Sequence, residues 1–181
     1  DQFNDRADAL VMCGHPVDKI EIIILGGTWD HYPKEYRYEF IRDIYYSGNI
    51  YKNGKSRQRG SLEFEIKENE LSETRIIGIT IETRPDCITK RGIRMLRELN
   101  VTRVQLGVQH TDDLILQKIK RNCYLEDTKR ATYLLKQNGY KVDWHLMPDL
   151  PGSSYEKDKS MIDDLFKVES QEEIDSNYIR Y

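Results

Sequence analysis

Apolar residues along this chain follow two rhythms, and both are sharpest between Arg75 and Gln109. Ile76, Ile77, Ile79 and Ile81 form a short run with Gly78 in its middle, which predicts a strand buried on both faces. The run stops at the polar string Glu82-Thr83-Arg84-Pro85-Asp86. Ile93, Leu96 and Leu99 then recur at helical spacing with Met95 alongside, which predicts a helix. Val104, Leu106 and Val108 give a second strand that ends at Gln109. The stretch therefore reads as one βαβ unit with a charged cluster where its first strand ends.

The flanks repeat the pattern. Ala7, Leu10 and Val11 share a helical face over 5–13, with Gly14 as the stop. Ile20 to Leu25 predicts another buried strand, followed by Gly26, Gly27 and Thr28. Pro33 suits the first position of a helix carrying Tyr36, Phe40 and Ile44, with Gly48 as its end. Leu62, Phe64 and Ile66 alternate like a strand, yet Leu62 and Ile66 are also one helical turn apart, so both readings stand. Thr111 is placed to cap a helix with Asp112 and Asp113 in its first turn and Lys118, Lys120 and Arg121 in its last. A further helix is expected over Asp127–Asn138, a fourth strand over Lys141–Met147 and a final helix over Tyr155–Phe166.

Strands that alternate with helices predict an α/β fold with a parallel sheet and right-handed crossovers, either open or an arc of a barrel. In such folds ligands gather at the carboxyl ends of the strands. Gly26, Gly27 and Thr28, then Glu82 and Arg84, then Gln109, then Met147 and Asp149 are expected on that rim. Each also has a plainer reading. The glycines suit a tight turn, which is favoured on that motif alone. Glu82 and Arg84 could equally form a buried ion pair, and Gln109 could cap the next helix. His145 reads as a satisfied core histidine, and Lys19 as a solvated charge.

A length of 181 residues fits one domain, and a net charge of -3 excludes a wholly basic coat but not a local basic patch. Lys52, Lys55, Arg57 and Arg59 occur with no acid between them. They read as a solvated basic loop that could meet phosphates. Cys13, Cys87 and Cys123 lack metal-ligand spacing, which points to a reducing compartment and small buried side chains. No apolar run is long enough to cross a bilayer, and the start carries no signal peptide. The absence of an initiator Met suggests a piece of a longer chain. No nucleophile–base pair is visible.

Taken together, GHPVDKIEIIILGGTW, PKEYRYEFI, IGITIETRPDCITKRGIRMLRELNVTRVQLGVQ and YKVDWHLMPDLPG resemble the Elongator catalytic-subunit family. Its members are radical S-adenosylmethionine (SAM) enzymes and acetyltransferases that modify the wobble uridine of tRNA. ITIETRPD with MPDLP is the specific part of the likeness. The resemblance implies a partial (β/α) barrel of the radical SAM type over residues 1–166, with 167–181 an acidic tail outside it. It implies SAM, a [4Fe-4S] cluster whose cysteines lie upstream, and acetyl-CoA as substrate. Gly26, Gly27, Thr28, Glu82, Arg84, Gln109, Met147 and Asp149 match the SAM side, and Lys19 matches a lysine associated with acetyl-CoA. Reductive cleavage of SAM then leads to a carboxymethyl-type uridine. The implied partners are tRNA and other Elongator subunits, with no membrane, in the cytoplasm and with the nucleus as a second compartment. QLGVQHTDD and HLMPDLPGSS depart in detail from animal and fungal members, which suggests a divergent member; with neither the family's cluster cysteines nor its acetyltransferase domain within it, this segment alone is expected to be inactive. The competing readings are a cluster-less barrel that binds tRNA or a partner, and a radical SAM enzyme acting on a small molecule.

Overall fold

The computed structural model describes residues 2–52, 54 and 56–166. The expectations for Lys55 and for the tail 167–181 fall on residues outside that set. The described elements run α1 (Gln2–Met12), β1 (Lys19–Ile24), α2 (Lys34–Tyr51), α3 (Leu62–Asn69), β2 (Arg75–Thr83), α4 (Lys90–Glu98), β3 (Arg103–Gln109), α5 (Asp113–Lys118), α6 (Leu125–Gln137), β4 (Lys141–Leu146) and α7 (Tyr155–Leu165), with 3₁₀ turns at Trp29–His31 and Pro85–Cys87. The strands are parallel and stand in the order β1-β2-β3-β4, so the α/β expectation holds. Two compact units share these elements: Asp1–Ile81 with Arg94–Arg103, and Glu82–Ile93 with Val104–Tyr181.

In the first unit, Ile41, Tyr45, Ile79, Ile81, Leu96 and Leu99 are buried together with Ala7 of α1. β1 pairs in parallel with β2 from Lys19↔Arg75 to Ile24↔Ile81, with a register slip between Ile20 and Glu21. The slip leaves Ile77 without a partner in β1, and Ile77 is 55 % exposed. The expected two-faced burial of β1 fails. It is an edge strand of the described sheet, and its Lys19, Glu21 and Ile23 side faces solvent. Leu10 and Val11 of α1 are likewise exposed.

Gly48 does not end α2, which continues to Tyr51. It is a packing glycine: a Cβ there would lie 3.3 Å from Asn69 Nδ2, 3.4 Å from Ile76 Cδ1 and 3.5 Å from the Thr74 carbonyl. The open choice over 61–73 resolves as helix α3, because the Ser61 hydroxyl accepts from the Phe64 N–H at 3.2 Å and caps it. Its helical turn also carries Glu65 inward, where Arg57 and Asn49 meet it.

In the second unit, Val104, Leu106, Val108, Ile115, Leu116, Ala131, Leu135 and Met161 are buried. Asp112, not Thr111, caps α5, accepting from the Leu114 N–H at 2.8 Å. α6 starts at Leu125, two residues before the expected Asp127, because the Asp127 carboxylate accepts from the Tyr124 N–H at 3.1 Å. The Trp144 indole donates to Thr132 of α6 at 2.9 Å, so strand alternation turns Asp143 and His145 to the other face of β4. Of the cysteines only Cys123 is buried; Cys87 is half-buried, and Cys13 is exposed in the turn after α1.

Candidate functional site

The second unit gathers polar groups at the ends of β2, β3 and β4. Glu82, one residue before β2 stops, places Oε1 3.4 Å from His145 Nδ1. β3 stands between their strands, a separation of about 10 Å across two strand spacings that the two side chains close. The pair corrects two expectations. His145 is not a core histidine, since 39 % of its side chain is accessible. Glu82 is also not bonded to Arg84, whose guanidinium grips Asp86 through Nε and Nη2, both at 2.9 Å. Burial acts to raise the Asp86 carboxyl, but the Arg84 hydrogen bonds and charge outweigh it and hold it below its usual range. Arg84 also donates to the Arg121 carbonyl at 3.1 Å. It therefore fastens the loop after β2 rather than offering a free cation.

Gln109 ends β3 in the left-handed region, with φ 74°. It caps no helix, because Asp112 has that role. Its carbonyl accepts from the Met147 N–H at 2.7 Å, which ties the end of β3 to the end of β4. Asp149 is also left-handed, with φ 60°. A non-glycine residue held there costs on the order of 1 kcal/mol or more, and such positions cluster where loops meet ligands. Met147 and Asp149 are both exposed.

Sequence reasoning did not mark Arg121 or Gln105 for this site. Arg121 Nη2 donates to the Gly107 carbonyl at 2.6 Å, while its Nε is buried without a hydrogen-bond partner among the described residues. Gln105 Oε1 on the same strand as Gly107 is also buried and unpartnered. Burial, and then the positive charge of Arg84, push the Arg121 guanidinium down from its ordinary value. A buried donor left unpaired costs about 1–3 kcal/mol, more when charged. The signal that could have found Arg121 is Gly107. A glycine inside an apolar strand marks a close approach, and here a Cβ would stand 3.0 Å from Arg121 Nη2.

In the first unit, Gly26 and Gly27 have φ 118° and 112°, and nothing lies within 4 Å of a Cβ built on either. Their conformation therefore demands glycine, and their backbone groups stand open. Thr28 follows in extended conformation, half-buried, just before the 3₁₀ turn. Lys19 is exposed and is the first residue of β1. It stands at the far end of the strand from Gly26, roughly 16 Å before the strand's carboxyl end.

The basic loop is less solvated than its composition suggests. Arg57 forks onto buried Glu65 at 2.7 and 2.6 Å and stacks over the Tyr46 and Phe64 rings. Arg59 lies over the Tyr46 ring and 3.6 Å from Asp43. Lys52 is exposed at the end of α2.

The orphaned Arg121 Nε and Gln105 Oε1, on or against the strand that ends at Gln109, suit a ligand that offers both an acceptor and a donor. The described residues do not suit a metal cluster, for no group of three or more His, Cys, Asp or Glu among them could hold a metal ion. Among them, too, no helix is long and apolar enough to cross a membrane.

Residues 6–165 match the family model of the radical SAM superfamily. A tRNA uridine(34) acetyltransferase of Methanocaldococcus infernus is 43 % identical over 165 residues, which is 91 % of this chain and 30 % of that protein. Elongator complex protein 3 of Homo sapiens is 35 % identical over 172 residues, covering 92 % of this chain and 29 % of the human protein. A solved structure of the archaeal M. infernus Elp3, lacking its N-terminal residues 1–46, superposes with a TM-score of 0.86 at 43 % identity over 92 % of this chain and 38 % of that one. The chain thus spans about a third or less of the proteins it matches.

Proposed function

Because this chain belongs to the radical SAM superfamily, we propose that it is the SAM-binding core of a tRNA wobble-uridine acetyltransferase, one that passes an acetyl-derived group from acetyl-CoA to the anticodon uridine. The observation that carries the SAM reading is the buried, unpartnered Nε of Arg121 beside the strained Gln109. The relatives' names supply the substrate class: they are tRNA uridine(34) acetyltransferases and Elongator proteins.

SAM, together with a [4Fe-4S] cluster, supplies radical chemistry by reductive cleavage when both are bound. The chain's own residues bind and orient. In the second unit Arg121 offers its free Nε–H to a carboxylate, while Gln105 and Gln109 offer amides. Glu82, with His145 behind it, offers a carboxylate to an amine or a ribose hydroxyl. Arg84 holds the loop through Asp86, and Met147 and Asp149 shape the turn after β4. In the first unit, taken by itself, the exposed Gly26 and Gly27 with Thr28 are a separate candidate for an amino group such as SAM carries. Lys19 serves acetyl-CoA at the other end of its strand. Cys13, Cys87 and Cys123 are given no part in holding the cluster. Lys52, Lys55 and Arg59 meet tRNA phosphates, and Arg57, already bound to Glu65, contributes chiefly by shaping that loop. The partners are tRNA and other Elongator subunits, and the compartment is the cytoplasm.

The test is made in the complete protein. Equilibrium dialysis with SAM is expected to show weaker binding for Arg121→Lys, since lysine's single nitrogen cannot stand at both the Nη2 and the Nε positions of the guanidinium. Replacing the native gene with the same variant should reduce the carboxymethyl-type wobble uridine measured by mass spectrometry of tRNA. Unchanged SAM binding by Arg121→Lys would sink the site assignment. Unchanged modification after deletion of the gene would sink the tRNA assignment.

A further inference from the structure

His110 follows Gln109 and is 1 % exposed, yet both of its ring nitrogens are engaged. The Asp112 N–H donates to Nδ1 at 2.9 Å. Nδ1 therefore carries no proton, and the ring's hydrogen sits on Nε2, 3.2 Å from Asp158 Oδ1. Asp158, on α7, also accepts from the Ser153 hydroxyl, and through Oδ2 from the Asp149 N–H at 2.8 Å. One carboxylate thus joins the residue after β3 to the left-handed turn after β4. Lys157 beside it reaches the Asp112 carboxylate at 3.0 Å, closing a ring of contacts between α7 and the start of α5.

We propose that His110 is a positioning residue that, through Asp158, fixes the backbone of Asp149 and so sets the 147–150 turn for its ligand. The ligand part rests on the SAM reading above; the positioning part does not. Asp149 is held at a left-handed φ of 60°, and the hydrogen bond that its N–H donates to Asp158 Oδ2 is a contact on its own backbone that offsets the cost of that conformation. Asp158 is aimed by what it accepts. The hydroxyl of Ser153 is local and can rotate, whereas the His110 ring is buried and held at Nδ1, so it is the rigid member. The Ser153 hydrogen bond, then the Asp149 amide, then His110 hold the Asp158 carboxyl below its usual range. The acceptor therefore stays charged at neutral pH. A histidine that merely filled space would need neither its Nε2–H nor a fixed tautomer.

Two near-isosteric variants separate these roles in the complete protein. His110→Gln keeps a donor near the Nε2 position, and His110→Asn keeps only an acceptor near Nδ1. In His110→Asn the Asp149 amide is expected to exchange with solvent about tenfold faster by NMR, and SAM to bind about tenfold more weakly, the loss that one charge-assisted hydrogen bond represents. His110→Gln should restore both to within about threefold. Equal Asp149 exchange in wild type and His110→Asn, or equal damage in both variants tracking their melting temperatures, overturns the proposal. If Asp149 exchange responds as expected but the wild-type protein does not bind SAM, the positioning role stands and the SAM assignment falls. Should His110→Asn fail to fold, Asp158→Asn, which removes the shared carboxylate charge, is read in the same two ways.

Discussion

Arg121 lies hard against Gly107: its Nη2 donates to the Gly107 carbonyl at 2.6 Å, and a Cβ on that glycine would stand 3.0 Å from the same nitrogen. The next obstacle is Gln109 Nε2 at 3.4 Å. Both obstacles are ends of flexible side chains, so Gly107→Ala should cost at most about 1–2 kcal/mol of stability. Its larger effect is to move Arg121 and Gln109 together. The expected outcome is a fall in SAM affinity of about tenfold or more by calorimetry, with a small change in melting temperature. The reverse pattern would make Gly107 a packing residue only.

Glu82 and His145 touch at 3.4 Å while both keep solvent access. A pair of this kind contributes about 0.2–1 kcal/mol to folding. Glu82→Gln should therefore leave the urea midpoint nearly unchanged. If the carboxylate orients a ligand, the same variant weakens SAM binding by about tenfold, the loss of one hydrogen bond to a charged group. Loss of stability without loss of binding would remove Glu82 from the site.

Gly48→Ala sets two effects against each other. Alanine inside a helix gains about 0.5–1 kcal/mol over glycine. The new methyl, however, meets Asn69 Nδ2 at 3.3 Å. That nitrogen is held by Asn49 Oδ1 at 2.8 Å and by the Thr74 carbonyl at 3.0 Å, so it cannot yield. Overpacking of this sort costs about 1–3 kcal/mol. The net expectation is a variant less stable by roughly 1 kcal/mol in chemical denaturation, and a more stable one would show that Asn69 moves freely.

Periodicity was enough to locate every strand among the described residues and to recover most of their helices, because apolar side chains must leave water together whatever the rest of the chain does. It failed where one residue served a neighbour distant in sequence. Gly48 read as a stop because nothing local shows that Asn69 and Ile76 press on it. Arg57 read as a solvated cation because its partner Glu65 sits on a helix whose period was ambiguous. His145 read as core because strand alternation says which face a residue takes, not whether that face is dry or polar. The rim residues were placed at strand ends by pattern, but which of them bond to each other was not encoded there. Glu82 chose His145, and Arg84 chose Asp86.

Glu65 supplies a pH dependence whose sign follows from its surroundings. It is 0 % exposed and accepts from Arg57 at 2.7 and 2.6 Å, from the Gly60 N–H at 2.7 Å and from Asn49 Nδ2 at 2.9 Å. Burial alone would raise its carboxyl; the hydrogen bonds from Arg57, Gly60 and Asn49 outweigh burial and hold it low. A carboxyl lower in the folded than in the unfolded chain binds fewer protons when folded. Its contribution is therefore complete above the unfolded value of about 4.3 and is lost as pH falls through the folded value. Glu65→Gln leaves Arg57 without its anion. Breaking a buried pair costs about 3–5 kcal/mol, but Arg57 keeps a third of its side chain in water, so about 2–3 kcal/mol is expected near neutral pH. Urea unfolding of both proteins should show that gap at about pH 7 and show it shrinking below about pH 4 as the wild-type carboxyl takes up its proton. A gap that stays constant across that range would mean that folding leaves the Glu65 carboxyl unshifted, and the Arg57 fork could not then be a stabilising ion pair.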